Sequence, residues 1–237
     1  MSYHDRYYRY TTCLAKTPYD RLRIMFLNSV EAAGSAVPLN DKYACYQYFS
    51  QKTESLKSND RFSFKRFAEC FIDDFDSPQK VQHLSQILVE DSQLPHFARK
   101  KANLFMKELL LVARDGIFDD AQEEQYLPYL SVPIDAVIRK VYWELQNLPE
   151  PYTRKYDDDI QQLARVLFPE KPVYLDDLWF WGHFTFKKNQ LLHEANIAML
   201  YTDKFLNEEM IEEYDLIGKL NTFIQIIHEV KVDGKHN

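Results

Sequence analysis

Glycine is scarce in this chain: 5 of its 237 residues are glycine, against 10 prolines. Tight β-hairpins and glycine-rich nucleotide-binding loops depend on glycine, because their backbones need positive φ or a close approach that a side chain would block. Helices joined by short loops need few such positions. The glycine count therefore favours an all-α fold over a β-sandwich or a dinucleotide-binding fold.

Apolar side chains recur at helical spacing along most of the chain, which predicts a series of amphipathic helices. We expect helices over residues 18–33, 40–57, 62–75, from 77 onward, 96–114, 133–145, 155–167, 174–182, 189–201 and 208–230. The expected core faces include Leu22, Met25, Phe26 and Val30 in the first helix and Tyr43, Cys45, Tyr46 and Phe49 in the second. About ten helices with short connections predict one domain over residues 1–237, a two-lobed helical bundle with residues 1–17 as an N-terminal arm.

The chain carries a net charge of −7, which argues against binding nucleic acid through charge alone but permits a local basic face. Its 3 cysteines, Cys13, Cys45 and Cys70, lack the spacing of metal ligands or of an iron–sulfur cluster. We therefore expect reduced thiols, no metal and no cofactor. No apolar run approaches the ~18 residues of a membrane span, and the first residues are polar and aromatic, so we expect a cytoplasmic protein with no membrane partner.

An amphipathic helix with an acidic residue at its start is predicted in YLPYLSVPIDAVIRKVYWEL, residues 126–145. Pro133 suits the first turn, since proline has no N–H to leave unpaired there and its φ is already near helical. Asp135 is expected in the first turn, where the helix dipole favours a carboxylate; by itself this placement indicates only dipole complementation. The expected buried stripe comprises Val137, Ile138, Val141, Tyr142 and Leu145.

Three cations, Arg99, Lys100 and Lys101, lie in the opening turns of the helix predicted over residues 96–114. Cations at a helix start oppose the helix dipole, so the arrangement indicates a nearby anion or a functional role, beside the ordinary interpretation of a solvated helix end. Lys101 lies four residues before Phe105 and therefore on the same, buried face, whereas Lys100 lies about a quarter-turn away.

Three segments, in this order, resemble helix-hairpin-helix DNA glycosylases, in particular their thermostable, archaeal-type 8-oxoguanine glycosylase branch. KANLFMKELL is similar to the helix of the catalytic lysine, which matches Lys101. VPIDAVIRKVY is similar to the segment in which the catalytic aspartate opens a helix, and the match is Asp135, 34 positions after Lys101. PVYLDDLWFWG resembles a late helix, with a spacing one residue short, at Leu175, Asp176, Leu178, Trp179 and Gly182. Residues 99–182 would form the catalytic segment.

The resemblance implies a helix-hairpin-helix glycosylase-like fold with an atypical hairpin, because residues 127–132 contain none of the glycines with which most members hold a DNA phosphate. It implies an enzyme that flips a damaged or modified base out of duplex DNA and excises it, with or without lyase activity. Lys101 would be the Schiff-base nucleophile, and Asp135 would stabilise positive charge on the sugar. The base would be an oxidised purine such as 8-oxoguanine, or a modified base of foreign DNA. We expect a monomer.

Further residues are candidates for holding the DNA. Aromatic side chains that could stack on the flipped base, with core packing as the alternative for each, are Phe105, Trp179 and Trp181. Cations that could contact phosphates, each also explicable as a solvated surface charge, are Arg99, Lys100, Arg139 and Lys140. Two other functions stay open: a DNA-binding protein that keeps the fold without the chemistry, and an α-helical protein-interaction module. A steep salt dependence of DNA affinity would separate them.

Overall fold

The structure is a computed structural model that describes residues 15–31, 37–58, 62–90, 97–111, 117–118, 121–146, 148 and 153–179, with 215, 218–219, 221–222 and 225 nearer the C-terminus. Several expectations lie outside these residues. They concern most of the N-terminal arm, the helix over 189–201, most of the helix over 208–230, and the residues Trp181 and Gly182.

The described part of the chain is all-α, as predicted: it consists of α-helices, short 3-10 helices and their connections, and it contains no β-strand. The α-helices are α1 (Pro18–Glu31), α2 (Leu39–Lys52), α3 (Phe64–Glu69), α4 (Val81–Glu90), α5 (Arg99–Leu111), α6 (Ala136–Leu145) and α7 (Asp157–Leu167). Turns of 3-10 helix cover Glu54–Leu56, Pro78–Lys80, Ala121–Tyr129, Arg154–Tyr156 and Pro172–Asp176. None of the described helices is long and apolar enough to cross a membrane.

The chain divides into two compact units. The first comprises Met1–Pro133 and Ala164–Val173, and the second comprises Ile134–Leu163 and Tyr174–Asn237. Helices α1 to α5 therefore belong to the first unit and α6 to the second. Helix α7 begins in the second unit and ends in the first.

An aromatic core holds the first unit together where α1, α2 and α5 contact one another. Phe26 of α1 stacks on Phe49 of α2 with ring centroids 4.1 Å apart, and Phe105 of α5 meets both rings edge-on. Such pairs stabilise by ~0.5–1.5 kcal/mol each beyond the burial of their area. The helical spacing predicted the inward face of α1, since Leu22 and Val30 are fully buried on the same face as Phe26.

Helix α2 differs from its prediction, because its aromatic face is only partly buried. Cys45 and Phe49 lie one turn apart and are buried in the core, whereas Tyr43 is 59% exposed and Tyr46 is half-buried. A residue two positions from Cys45 lies about 200° around the helix axis. Tyr43 therefore cannot share the face of Cys45, and the prediction that it belongs to the core is wrong.

Helix α3 is much shorter than the helix predicted over residues 62–75. It begins at Phe64 because Ser63 is its N-cap, with a hydroxyl that accepts a hydrogen bond from the Arg66 N–H at 3.2 Å. Phe62, expected within the helix, instead forms an isolated parallel bridge with Phe118. Its apolar face packs inward, since Phe64 and Phe67 are fully buried.

The second unit buries the stripe predicted for α6 in part. Ile138 and Val141 are fully buried, one turn apart. Val137, Leu145 and Leu178 pack against Val141 and are partly buried. The amphipathic pattern thus placed Ile138 and Val141 correctly, but α6 also buries Lys140 and Glu144, which lie outside the predicted stripe.

Candidate functional site

Lys101 is a buried lysine in the first turn of α5, with only 5% of its surface exposed. Its Nζ donates a hydrogen bond to the backbone carbonyl of Val30, in the last turn of α1. The last carbonyls of a helix carry partial negative charge and favour a cation. The side chain therefore faces inward, as its spacing from Phe105 predicts, and its ammonium lies at the end of α1 where a helix dipole favours it.

Burial is the largest influence on the Lys101 ammonium and lowers its pKa below the ordinary value for lysine. A negatively charged Cys45 thiolate would raise the pKa of Lys101. Burial, however, raises the pKa of the Cys45 thiol, so Cys45 is neutral at neutral pH. The charge of the adjacent Lys100 lowers the pKa of Lys101 further. The amine of Lys101 is thus easier to deprotonate than that of an exposed lysine.

Asp135 is the N-cap of α6 and not a residue of its first turn. Its backbone is extended, and Oδ1 accepts hydrogen bonds from the N–H groups of Val137 at 2.8 Å and Ile138 at 3.0 Å. The helix begins at Ala136, so the prediction that Pro133 lies in the first turn is wrong. An aspartate in the cap position satisfies two N–H groups that have no partner within the helix, and this fixes the start of α6 after the proline.

Lys101 belongs to the first unit and is held by a hydrogen bond within that unit. Asp135 belongs to the second unit and accepts its hydrogen bonds within that unit. Lys101 is bonded at a helix C-terminus and Asp135 at a helix N-terminus. Among the described residues, no three His, Cys, Asp or Glu side chains lie together in a way that could hold a metal ion.

The four cations predicted to contact DNA have different surroundings. Arg99 is exposed and Lys100 is half-buried at the start of α5. Arg139 makes two hydrogen bonds to the carboxylate of Asp157, at 2.6 and 2.8 Å, which raise the pKa of the guanidinium. Lys140 is only 3% exposed. A phosphate at Arg139 would therefore compete with Asp157, and Lys140 is not the solvated surface charge offered as its alternative role.

The aromatic side chains predicted to stack on a base are also placed differently from one another. Phe105 is fully buried, with its ring centroid 5.4 Å from that of Phe26 and 5.7 Å from that of Phe49. A base could reach it only if these rings separated, so the described conformation gives Phe105 a core role. Trp179 is half-buried at the end of the described range 153–179, and Trp181 lies outside the described residues. Their part in stacking stays a prediction.

Two contacts of the first unit involve side chains that the sequence analysis did not single out. Asn103 is buried and donates from Nδ2 to the carbonyl of Val132 at 3.2 Å, while its Oδ1 has no hydrogen-bond partner among the described residues. Arg23 of α1 lies over the ring of Tyr46 of α2, 4.5 Å from its centroid. Both contacts join separate segments of the chain, so the spacing of residues within one helix does not predict them.

Comparison with protein-family models, with curated proteins and with solved structures found no match to this chain. The functional assignment therefore depends on the residues themselves.

Proposed function

We propose that this chain is a DNA glycosylase that removes a damaged or modified base, with Lys101 as its nucleophile. The observation that carries the proposal is the state of the Lys101 amine, which burial makes easier to deprotonate. A lysine attacks only as the neutral amine, and burial favours that form at a lower pH than solvent does. Buried lysines with a lowered pKa are therefore suited to Schiff-base chemistry.

The chemistry starts from a nucleotide that has left the duplex, at a cost of a few kcal/mol. Cleavage of the N-glycosidic bond builds positive charge on the sugar, and a fixed carboxylate stabilises it. Asp135 has this role in the proposal, supported by the two hydrogen bonds that hold its Oδ1. The Lys101 amine attacks the anomeric carbon as the base leaves with the electron pair of the broken bond. Loss of a proton from nitrogen and opening of the sugar ring then give the Schiff base.

Borohydride trapping tests this proposal, because hydride reduces a Schiff base to a stable amine that links protein and DNA. The full chain is incubated with duplexes that each carry one oxidised or modified base, 8-oxoguanine among them. Lys101→Gln should abolish the adduct, since glutamine keeps an N–H donor for Val30 but forms no Schiff base. Lys107→Gln is the matched control: Lys107 lies on the same helix and has the same 5% exposure, and its variant should keep the adduct.

The other outcomes of trapping are informative. An adduct that disappears with Lys107→Gln and persists with Lys101→Gln would overturn the assignment of the nucleophile. Base release without an adduct would indicate attack by water, with Asp135 as the only assigned catalytic group. DNA binding without base release, in folded protein and on every duplex, would leave a DNA-binding protein without the chemistry.

A protein-interaction module is the second candidate, and one surface of the first unit favours it. Three adjacent apolar side chains at the end of α7 are exposed: Val166, Leu167 and Phe168. Contiguous exposed apolar surface is typical of interaction sites. Absence of base release, together with a DNA affinity that does not fall with salt, would favour this candidate, because phosphate contacts impose a steep salt dependence.

A further inference from the structure

Asn103 connects α5 to the stretch of chain that leads to Asp135. It lies two positions after Lys101, so its side chain leaves the helix about 200° around the axis from that of Lys101. Its amide Nδ2 donates a hydrogen bond to the carbonyl of Val132 at 3.2 Å, and both residues are buried. Lys101 therefore lies on one side of α5, and the chain that leaves the first unit at Pro133 is bonded to another side.

Helix α5 is a firm support for both contacts. It packs against α1, against α4 and against the 3-10 turns of Ala121–Tyr129. A helix that is packed on several sides in a dense core has little freedom to shift. The hydrogen bond of Asn103 therefore fixes the Val132 backbone to the same frame that holds Lys101.

The residues between Val132 and Asp135 form a stiff segment. The ring of Pro133 fixes its own φ and confines the residue before it, Val132, to extended backbone. Ile134 is β-branched and only 7% exposed. Asp135 is itself extended, with a φ of −128°. Three residues span at most about 11 Å, so a fixed Val132 limits where the Asp135 carboxylate can lie.

We propose that Asn103 is a positioning residue for base excision, because its hold on Val132 sets where the Asp135 carboxylate lies. The inference rests on the proposed function, in which Asp135 and Lys101 act on one nucleotide. A misplacement of about 1 Å can slow a reaction on the order of a hundredfold. Loss of a hydrogen bond between two protein groups can therefore slow the chemistry without weakening the binding of DNA.

Single-turnover base release by the full chain tests the inference, on a duplex with one 8-oxoguanine or on whichever duplex of the trapping panel loses its base. Asn103→Leu keeps the size of the side chain and removes the donor. It should slow base release by about tenfold or more, with an affinity for the duplex within about twofold of wild type. Thr53→Val is the matched control, because it removes a buried hydroxyl of the same unit that donates to the Phe49 carbonyl at 2.7 Å. Its rate should stay at that of wild type.

Asn103→Asp separates the hydrogen bond from the volume of the side chain. The introduced carboxyl can donate to Val132 only when it is protonated, and burial raises its pKa above the ordinary value of ~3.9. Relative to wild type, this variant should regain rate as the pH falls, whereas the deficit of Asn103→Leu should be the same at every pH. Amide exchange at Val137 and Ile138 should match wild type in both variants, because the Asp135 cap lies within its own unit.

Base release by Asn103→Leu within about twofold of the wild-type rate would overturn the inference and leave the proposed function standing. Equal slowing in Thr53→Val would also overturn it, since it would indicate a general loss of stability. Faster exchange at Val137 and Ile138 would do the same, since it would indicate loss of the cap. A deficit of Asn103→Asp that does not change with pH would show that donation to Val132 has no part in the rate. If wild type releases no base from any duplex, the proposed function fails and this inference fails with it.

Discussion

The N-cap of α6 allows the structural role of Asp135 to be separated from its proposed catalytic role. Asp135→Ala removes the acceptor of two N–H groups, those of Val137 and Ile138. Loss of an aspartate cap costs ~1–2 kcal/mol, and we expect the free energy of unfolding to fall by that amount. Asparagine caps a helix about as well as aspartate. Asp135→Asn should therefore lose only the interaction of the carboxylate charge with the helix dipole, which contributes roughly 0.3–1 kcal/mol. Both variants should lose base release.

Urea unfolding followed by circular dichroism gives the loss of stability, from midpoints compared at constant slope. Amide hydrogen exchange at Val137 and Ile138 reports the same cap locally, because those N–H groups are the donors. Their exchange should be faster in Asp135→Ala and close to wild type in Asp135→Asn. Asp158→Ala is a suitable control, since Asp158 is an exposed acidic residue in the first turn of α7, and its stability change should stay below about 0.5 kcal/mol.

Unchanged stability and unchanged exchange in Asp135→Ala would refute the cap. A loss in Asp135→Asn as large as in Asp135→Ala would show that the negative charge, and not the hydrogen bonds, holds the helix start. If the chain excises bases and Asp135→Asn excises them at the wild-type rate, the carboxylate has no part in the chemistry, whatever its effect on stability.

Three further predictions concern other residues of the two units. Folding lowers the pKa of Lys101. At pH values between the pKa in the folded chain and the ordinary value of ~10.4, the unfolded chain therefore binds more protons than the folded chain. The stability of wild type relative to Lys101→Met should therefore rise with pH through that window, as measured by urea unfolding at several pH values; a constant difference contradicts the lowered pKa. Phe105→Ala removes a fully buried ring and should lower the free energy of unfolding by ~3–5 kcal/mol, whereas a loss below about 1 kcal/mol would contradict its core position. Asp157→Asn removes a carboxylate partner of Arg139 and should cost up to about 1 kcal/mol, yet raise DNA affinity and steepen its salt dependence in a titration. Unchanged affinity would mean that Arg139 contacts no phosphate.

Much of the fold follows from helical periodicity, because burial repeats with the helix turn. Leu22, Phe26 and Val30 recur at spacings of four and are buried together in α1. The same rule failed for Tyr43, since α2 carries aromatic residues on two faces and composition does not say which face is inside. Cys45 and Phe49, one turn apart, decide the orientation of α2.

The candidate site could be predicted only as far as local rules apply. The sequence pattern predicted an acidic residue at the start of α6. Pro133 suggested that the helix begins earlier than it does, because the Asp135 cap fixes its start. The contact of Lys101 with Val30 spans 71 residues and depends on how α1 packs against α5, which no spacing reveals. The pairing of Arg139 with Asp157 likewise joins residues 18 positions apart that lie in two different helices.

The contact between Lys101 and the Val30 carbonyl has a consequence for chemical selectivity. Neutral amines condense readily with small aldehydes, such as the open-chain forms of sugars. A lysine that is 5% exposed and donates to a backbone carbonyl is shielded from such adventitious adducts. A reactant reaches this amine only by displacing the residues around it or by drawing the side chain out, and withdrawal of the side chain removes a capping group from the end of α1. Any reaction that moves the Lys101 side chain therefore also unpairs a backbone carbonyl at the end of a helix.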